Sequence, residues 1–150
     1  MLSKFDPVKL IEIIIICIFL CFSGTSAMAA NQQVVIIANS SVPVDSLSHN
    51  GLREVFLGRE TIWNNELMVK VVIQKESSAH TFFTRKLMHK SPDQFYRYWR
   101  EQLYLGHSSL PASFNNEKDL IEYVARTPGA IGYVSTAPES NQIKKIRIED

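Results

Sequence analysis

Cysteine is scarce in this chain: two residues among 150, Cys17 and Cys21. Both lie within the first thirty positions, so the remainder carries no thiol. For that remainder, thiol nucleophiles, thiol redox chemistry, Cys-ligated zinc and disulfide staples are excluded, and the core must hold itself together unaided. Glycine and proline number six each, too few for a collagen-like or low-complexity chain. Neither sign of charge dominates, with 16 Lys+Arg against 15 Asp+Glu and a net charge of +1. That balance argues against a strongly basic nucleic-acid binder. With 45% hydrophobic residues it also excludes a disordered tail. What is present is the length and apolar content of one domain, with no internal repeat, long linker or second core.

The N-terminal segment reads as an address. Lys4 and Lys9 precede a stretch, Leu10 to Phe22, that is apolar except for Glu12. Ser23, Gly24, Thr25 and Ser26 follow, and then Ala27-Met28-Ala29. A basic region, an apolar region and an A-x-A site make a secretory signal peptide, cleaved after Ala29. The alternative is an uncleaved anchor, but the uninterrupted apolar stretch falls short of the ~20 residues that span a bilayer. The expected organisation is a signal peptide over 1–29 and one domain over 30–150. The exported chain then keeps 14 basic and 13 acidic residues and is periplasmic.

Strands alternate with helices in the exported part. Val34 to Ala38 is a continuous β-branched run that suits a strand buried on both faces, as in a parallel sheet. A short helix begins at Ser48, buries Leu52, Val55 and Phe56, and stops at Gly58. Val69 to Ile73 is a second strand, and a helix follows from about Ser78 with Ala79, Phe82, Phe83 and Leu87 on one face. Ser91-Pro92-Asp93-Gln94 combines an N-cap, a first-turn proline and a capping-box glutamine. The helix it opens should bury Phe95, Tyr98, Trp99 and Leu103. A further helix spans roughly Glu117 to Ala125, Pro128-Gly129 fits a type II turn, and Ala130 to Val134 is a strand. Ile143 to Ile148 reads as an edge strand whose Lys144, Lys145 and Arg147 discourage strand-to-strand aggregation. This order predicts an α/β domain with a mixed or mostly parallel sheet flanked by helices.

In such folds ligands gather outside the carboxyl ends of strands. Two segments qualify: Asn39-Ser40-Ser41, and Gln74 to Thr81 between a strand and a helix start. Free amides and partial positive charge at a helix start suit a phosphate, sulfate or carboxylate. Ser77 and Ser78 add hydroxyl donors there, and Lys75 or protonated His80 a charge. The competing reading is that Ser77 or Ser78 is only an N-cap. Glu76 opposes an anion unless a cation neutralises it.

At this point the sequence resembles the substrate-binding proteins of phosphate ABC importers, and more closely short secreted proteins related to them. The resemblance is carried by Leu52-Arg53-Glu54-Val55-Phe56-Leu57-Gly58 with Trp63 five residues on, by Tyr98-Trp99, and by Thr127-Pro128-Gly129-Ala130-Ile131-Gly132-Tyr133-Val134. It covers about Val34 to Val134. It implies a type II periplasmic-binding-protein-like fold, in which the large relatives close two lobes on phosphate. Their loop of the type Arg-Ser-Asp-Gly-Ser-Gly-Thr falls here on Gln74 to His80. Gln74 replaces the arginine, Glu76 keeps the acidic charge, Ser78 matches the serine, Ser77 and Ala79 replace the glycines, and His80 replaces the threonine. Ser41 falls where the first loop of the relatives carries a hydroxyl. Only about ten residues separate the first strand from the helix at Ser48, where the large relatives place much of a lobe.

These features give an expected oxyanion site of Ser41, Ser77, Ser78 and His80. Ser41 and Ser78 would offer hydroxyls, Ser77 and Ser78 amides, and His80 charge at mildly acidic pH. The implied function is a secreted solute-binding-like protein recognising phosphate or a related small oxyanion, linked to phosphate ABC transport. The alternative is a ligand-free interaction module of the cell envelope on the same fold. No catalytic residue, metal or cofactor is expected. The four histidines lack a metal-ligand spacing, and no G-x-S-x-G elbow supports a hydrolase. No nucleic-acid partner and no stable membrane span after cleavage are expected.

Overall fold

The computed structural model describes residues 33–64, 66–107 and 109–150. The expected signal peptide, with Cys17 and Cys21, lies outside the described residues. The β-branched run near the start of this part forms β1 (Val35–Asn39), buried over its last four residues. Its neighbours come from the far end of the sequence: β5 (Ala130–Val134) and β6 (Ile143–Glu149). Both pair with it antiparallel, Val35 opposite Val134 and Asn39 opposite Ile143. The remaining strands are β2 (Ser46–Ser48), β3 (Lys70–Gln74) and β4 (Ala112–Phe114). The sheet order is β2-β6-β1-β5-β3-β4, with parallel β2–β6, β5–β3 and β3–β4 pairs. Five strands therefore share one direction and β1 opposes them all. The apolar run that suggested a parallel strand reflects burial by helices on both faces, which is independent of strand direction.

One face of the sheet carries three helical segments: α1 (His49–Phe56), α2 (Ser78–Phe82) running into a π-helical turn (Phe83–Leu87), and α3 (Pro92–Tyr104). Here Ile36, Val71, Ile73, Ile131, Tyr133 and Ile146 of the sheet meet Leu52, Phe56, Phe83, Phe95 and Trp99. The opposite face packs Ile37, Val72, Val134 and Ile143 on Leu120 and Val124 of α4 (Glu117–Arg126).

Local chemistry sets the helix starts. Ser48 caps α1 by accepting from the Gly51 amide at 3.0 Å. Ser91 and Gln94 form the expected reciprocal box, with Ser91 N donating to Gln94 Oε1 at 2.8 Å and Gln94 N to Ser91 Oγ at 3.2 Å. Pro128-Gly129 forms the expected turn: Ala130 N donates to Thr127 O at 3.1 Å, and Gly129 has φ +81°.

Three expectations are corrected. β6 is an edge strand only over its first half, because β2 pairs with Arg147–Glu149 on its outer side. Lys144 is not a free edge charge; its Nζ pairs with Asp45 Oδ1 at 2.7 Å. The inner face of α3 holds Phe95 and Trp99, whereas Leu103 is 47% exposed. Leu103 is rotated about 80° from Phe95 and about 40° beyond Trp99, past the edge of the buried stripe. The short strands β2 and β4 carry no β-branched run, and their places come from pairing with β6 and β3.

Candidate functional site

The direction of β1 divides the expected site. Ser77, Ser78 and His80 follow the carboxyl end of β3. Ser41 follows the carboxyl end of β1, which lies beside the amino ends of β3 and β5, since Ala38 and Val71 both pair with Ile131. The two groups are at opposite ends of the sheet, on the order of 15 Å apart for strands of this length. Ser41 has a structural task instead: its Oγ accepts from the Gly129 amide at 3.1 Å. Gly129 O in turn accepts from Trp63 Nε1 at 3.0 Å and from the Lys70 amide at 3.1 Å. This knot ties the end of β1, the loop holding Trp63 and the start of β3 together.

The turn after β3 is the place where helix-start amides lack an acceptor among the described residues. Glu76 has φ +50°, a left-handed conformation unusual for a residue with a side chain. It turns the chain into α2. Ser77 is the N-cap; its Oγ accepts from the His80 amide at 2.9 Å, and its carbonyl accepts from the Thr81 amide at 3.0 Å. The amides of Ser77, Ser78 and Ala79 find no acceptor among the described residues. Ser78 is exposed.

His80 does not serve as expected. Its ring is 2% exposed and lies between Tyr133, nearly parallel at 6.1 Å, and the edge of Phe95 at 5.9 Å. Nδ1 meets the Tyr133 hydroxyl, and buried Nε2 has no partner among the described residues. Burial lowers its pKa and favours the neutral ring. It therefore brings no charge to an anion, because ionising it would strand a cation inside the core. Burial raises the Tyr133 phenol, which stays protonated. Gln74, at the position where the resembling family has arginine, is turned inward, its buried Oε1 without a partner among the described residues.

Residues missed from sequence lie at the same end of the sheet. Ser135 follows β5, and both its amide and its hydroxyl donate to Glu117 Oε1 at the start of α4. The rule that ligands gather at strand carboxyl ends would have found Ser135, had it been applied to β5. A cavity of about 120 Å³ lies beside the turn, between Lys75, Phe95, Trp99, Pro111 and Ser113. A larger one of about 570 Å³ continues past Trp99 toward Gly58 and Lys70.

A family model described as a PBP superfamily domain matches residues 28–147. The chain belongs to the PBP superfamily. Among solved structures, this superfamily member is similar to a phosphate-binding protein from Stenotrophomonas maltophilia, with TM-score 0.60 and 18% identity over 79% of this chain and 39% of that one. It is similar to PstS from Borrelia burgdorferi, with TM-score 0.58 and 12% identity over 77% and 46%. An ABC-type phosphate transport receptor from Vibrio cholerae gives TM-score 0.56 and 19% identity over 77% and 45%. Identities of this size establish the fold, a mixed α/β unit of periplasmic-binding-protein type. The chain spans less than half the length of these three proteins. No curated protein matches it. No helix among the described residues is long and apolar enough to cross a membrane.

Proposed function

We propose that this PBP-superfamily chain is an exported solute-binding-like protein that recognises phosphate or a related small oxyanion at the turn between β3 and α2. The observation that carries the proposal is that the amides of Ser77, Ser78 and Ala79 have no acceptor among the described residues and stand next to the exposed residue Ser78. The solved structures that share the fold include named phosphate-binding proteins. Recognition is by hydrogen bonds, with no covalent step. Export with cleavage after Ala29, a periplasmic location and service to a phosphate ABC importer belong to the same proposal. Affinity is low, because His80 is neutral, Gln74 replaces an arginine, and Lys75 is balanced by Glu76. A charge-assisted bond is about twice as strong as a neutral one, and this turn supplies neutral donors.

Calorimetry with inorganic phosphate, arsenate and sulfate tests the proposal. Ser78→Pro is the informative variant. Ser78 is the first helical residue, where proline is accommodated, and Ser77 has ψ 159°, compatible with a following proline. The substitution removes both the amide and hydroxyl donors of Ser78 and keeps the helix. It should abolish phosphate binding, whereas Ser78→Ala should weaken it about tenfold, the worth of one hydrogen bond. Ser140→Ala, at the other end of the sheet, should change nothing. Absence of phosphate heat in the wild type at millimolar concentration favours the second reading, a ligand-free envelope interaction module. The buried Gln74 and the chain's span of less than half its structural neighbours support that second reading.

A further inference from the structure

We propose that the outward stripe of α3 docks the protein on an anionic lipid surface. Seven large hydrophobic residues stand exposed among the described residues, and five of them fall between positions 96 and 110: Tyr96, Leu103, Tyr104, Leu105 and Leu110. Tyr104 is 91% exposed. None of this is required by packing, since α3 fastens to the core through Phe95 and Trp99 on its other side.

Positive charge is concentrated in the same stretch. Residues 85–107 hold five Lys/Arg against two Asp/Glu, in a chain whose total is +1. Tyr96, Arg97, Arg100, Leu103 and Tyr104 recur at helical spacings of three and four, so they share one stripe of α3. Arg85 and Lys86 project from the adjoining π-helical turn, which packs against α3. Arg85, Lys86, Arg97 and Arg100 are all exposed, and none has an ion-pair partner among the described residues. Elsewhere Arg59, Arg126, Lys144 and Arg147 each face a carboxylate, and the cations without an ion pair among the described residues, Arg53, Lys70, Lys75, Lys118 and Lys145, are spread over separate elements rather than gathered in one stretch. The cations on this side are left without an internal counterion.

Shape and residue type select the occupant. The stripe is the outside of one helix and the turn after it, where Arg97, Arg100, Glu101, Leu103 and Tyr104 form a wide, shallow surface open to solvent. Protein hot spots are usually seated in desolvated pockets. A lipid headgroup layer, in contrast, accepts protruding Leu and Tyr to a shallow depth, while arginine pairs with phosphodiesters above it. Tyrosine is enriched at that depth because its ring is apolar and its hydroxyl is wet. Apolar insertion and basic attraction together provide the two signals that a reversible surface anchor needs.

The test is vesicle flotation of the purified full chain with phosphatidylglycerol-containing or pure phosphatidylcholine vesicles. Residues 1–32 are common to every sample, so the comparison between variants isolates α3. Binding should favour phosphatidylglycerol and fall steeply as NaCl is raised from ~0.05 M to ~0.5 M. Each charge neutralised near the surface should cost about fivefold, so Arg97→Glu with Arg100→Glu should reduce binding at least ~25-fold. Tyr104→Ser should reduce it in both salts, and Arg126→Glu on α4 should leave it unchanged. Circular dichroism melts of each variant establish that it is folded. Inorganic phosphate should not displace the vesicles, which separates this surface from the turn at Ser78. Equal binding to both lipids, or an unaffected Arg97/Arg100 double variant, overturns the proposal. So does a dimer in light scattering that Tyr104→Ser dissociates, because the stripe would then be a contact between copies of the chain.

Discussion

His80 lies on the inside of the turn whose outside holds Ser78, and its neutrality has a consequence for stability. The folded protein keeps the ring unprotonated because burial lowers its pKa from the ordinary 6.5. The unfolded chain takes up a proton near pH 6.5 that the folded chain refuses. Protons therefore bind the unfolded state in excess as pH falls below that value, and stability declines with them until the lowered folded pKa is reached. Urea midpoints measured from about pH 7.5 to about pH 5.5 should fall in the wild type and fall less in His80→Phe, which has nothing to protonate at this site. An identical slope in both would remove His80 as the cause. Ser77 and Ser78 were legible as a helix start with donors, because capping is a local property of the chain. Ser41 was assigned to the same site by the rule of strand ends. The rule needs strand direction, and a five-residue apolar run carries none.

At the scale of elements, the turn that delivers the chain into β5 is the least tolerant position. A Cβ on Gly129, fixed in place by the backbone, would lie 2.1 Å from the Met68 carbonyl oxygen, at a φ of +81°. Neither atom belongs to a side chain that can swing away. Gly129→Ala should therefore cost at least ~2 kcal/mol in urea unfolding, more than an exposed substitution such as Ser140→Ala. The Trp63 indole, whose N–H is bonded to the same glycine's carbonyl, should show an altered emission spectrum. A stability equal to wild type would show that the knot of Ser41, Trp63 and Lys70 around Gly129 is slack. The turn, the capping box of α3 and the apolar faces of α1 and α4 follow from neighbouring residues and were visible in them. The strands β2 and β4 are positioned by distant partners. The π-helical turn after α2 also escapes periodicity. One extra residue there shifts the register, so Phe82 is half-buried while Phe83 and Thr84 are fully buried.

For the whole molecule, the described residues contain no cysteine. The exported chain expected here, residues 30–150, should melt at the same temperature with or without a reducing agent in differential scanning calorimetry. A drop on reduction would mean that residues 1–29, with both cysteines, remain attached. The class of fold was legible as a whole because alternating strands and helices leave few topologies open. The shared end of the sheet occupied by Ser78, Glu117 and Ser135 was not legible. It exists only once β3, β4 and β5 are side by side.

The central position of β1 has a further consequence for how the molecule is made. Val35 waits for Val134 on one side, and Asn39 waits for Ile143 on the other. A growing polypeptide can form its helices early, yet β1 stays bare along both edges until β5 and β6, about ninety or more residues further on, have been made. Such long-range closure makes folding slow. It also leaves a hydrophobic ribbon, Val-Ile-Ile-Ala, open to mispairing throughout synthesis. A chain interrupted before Ala130 would lack both partners of β1 and would leave that ribbon unpaired.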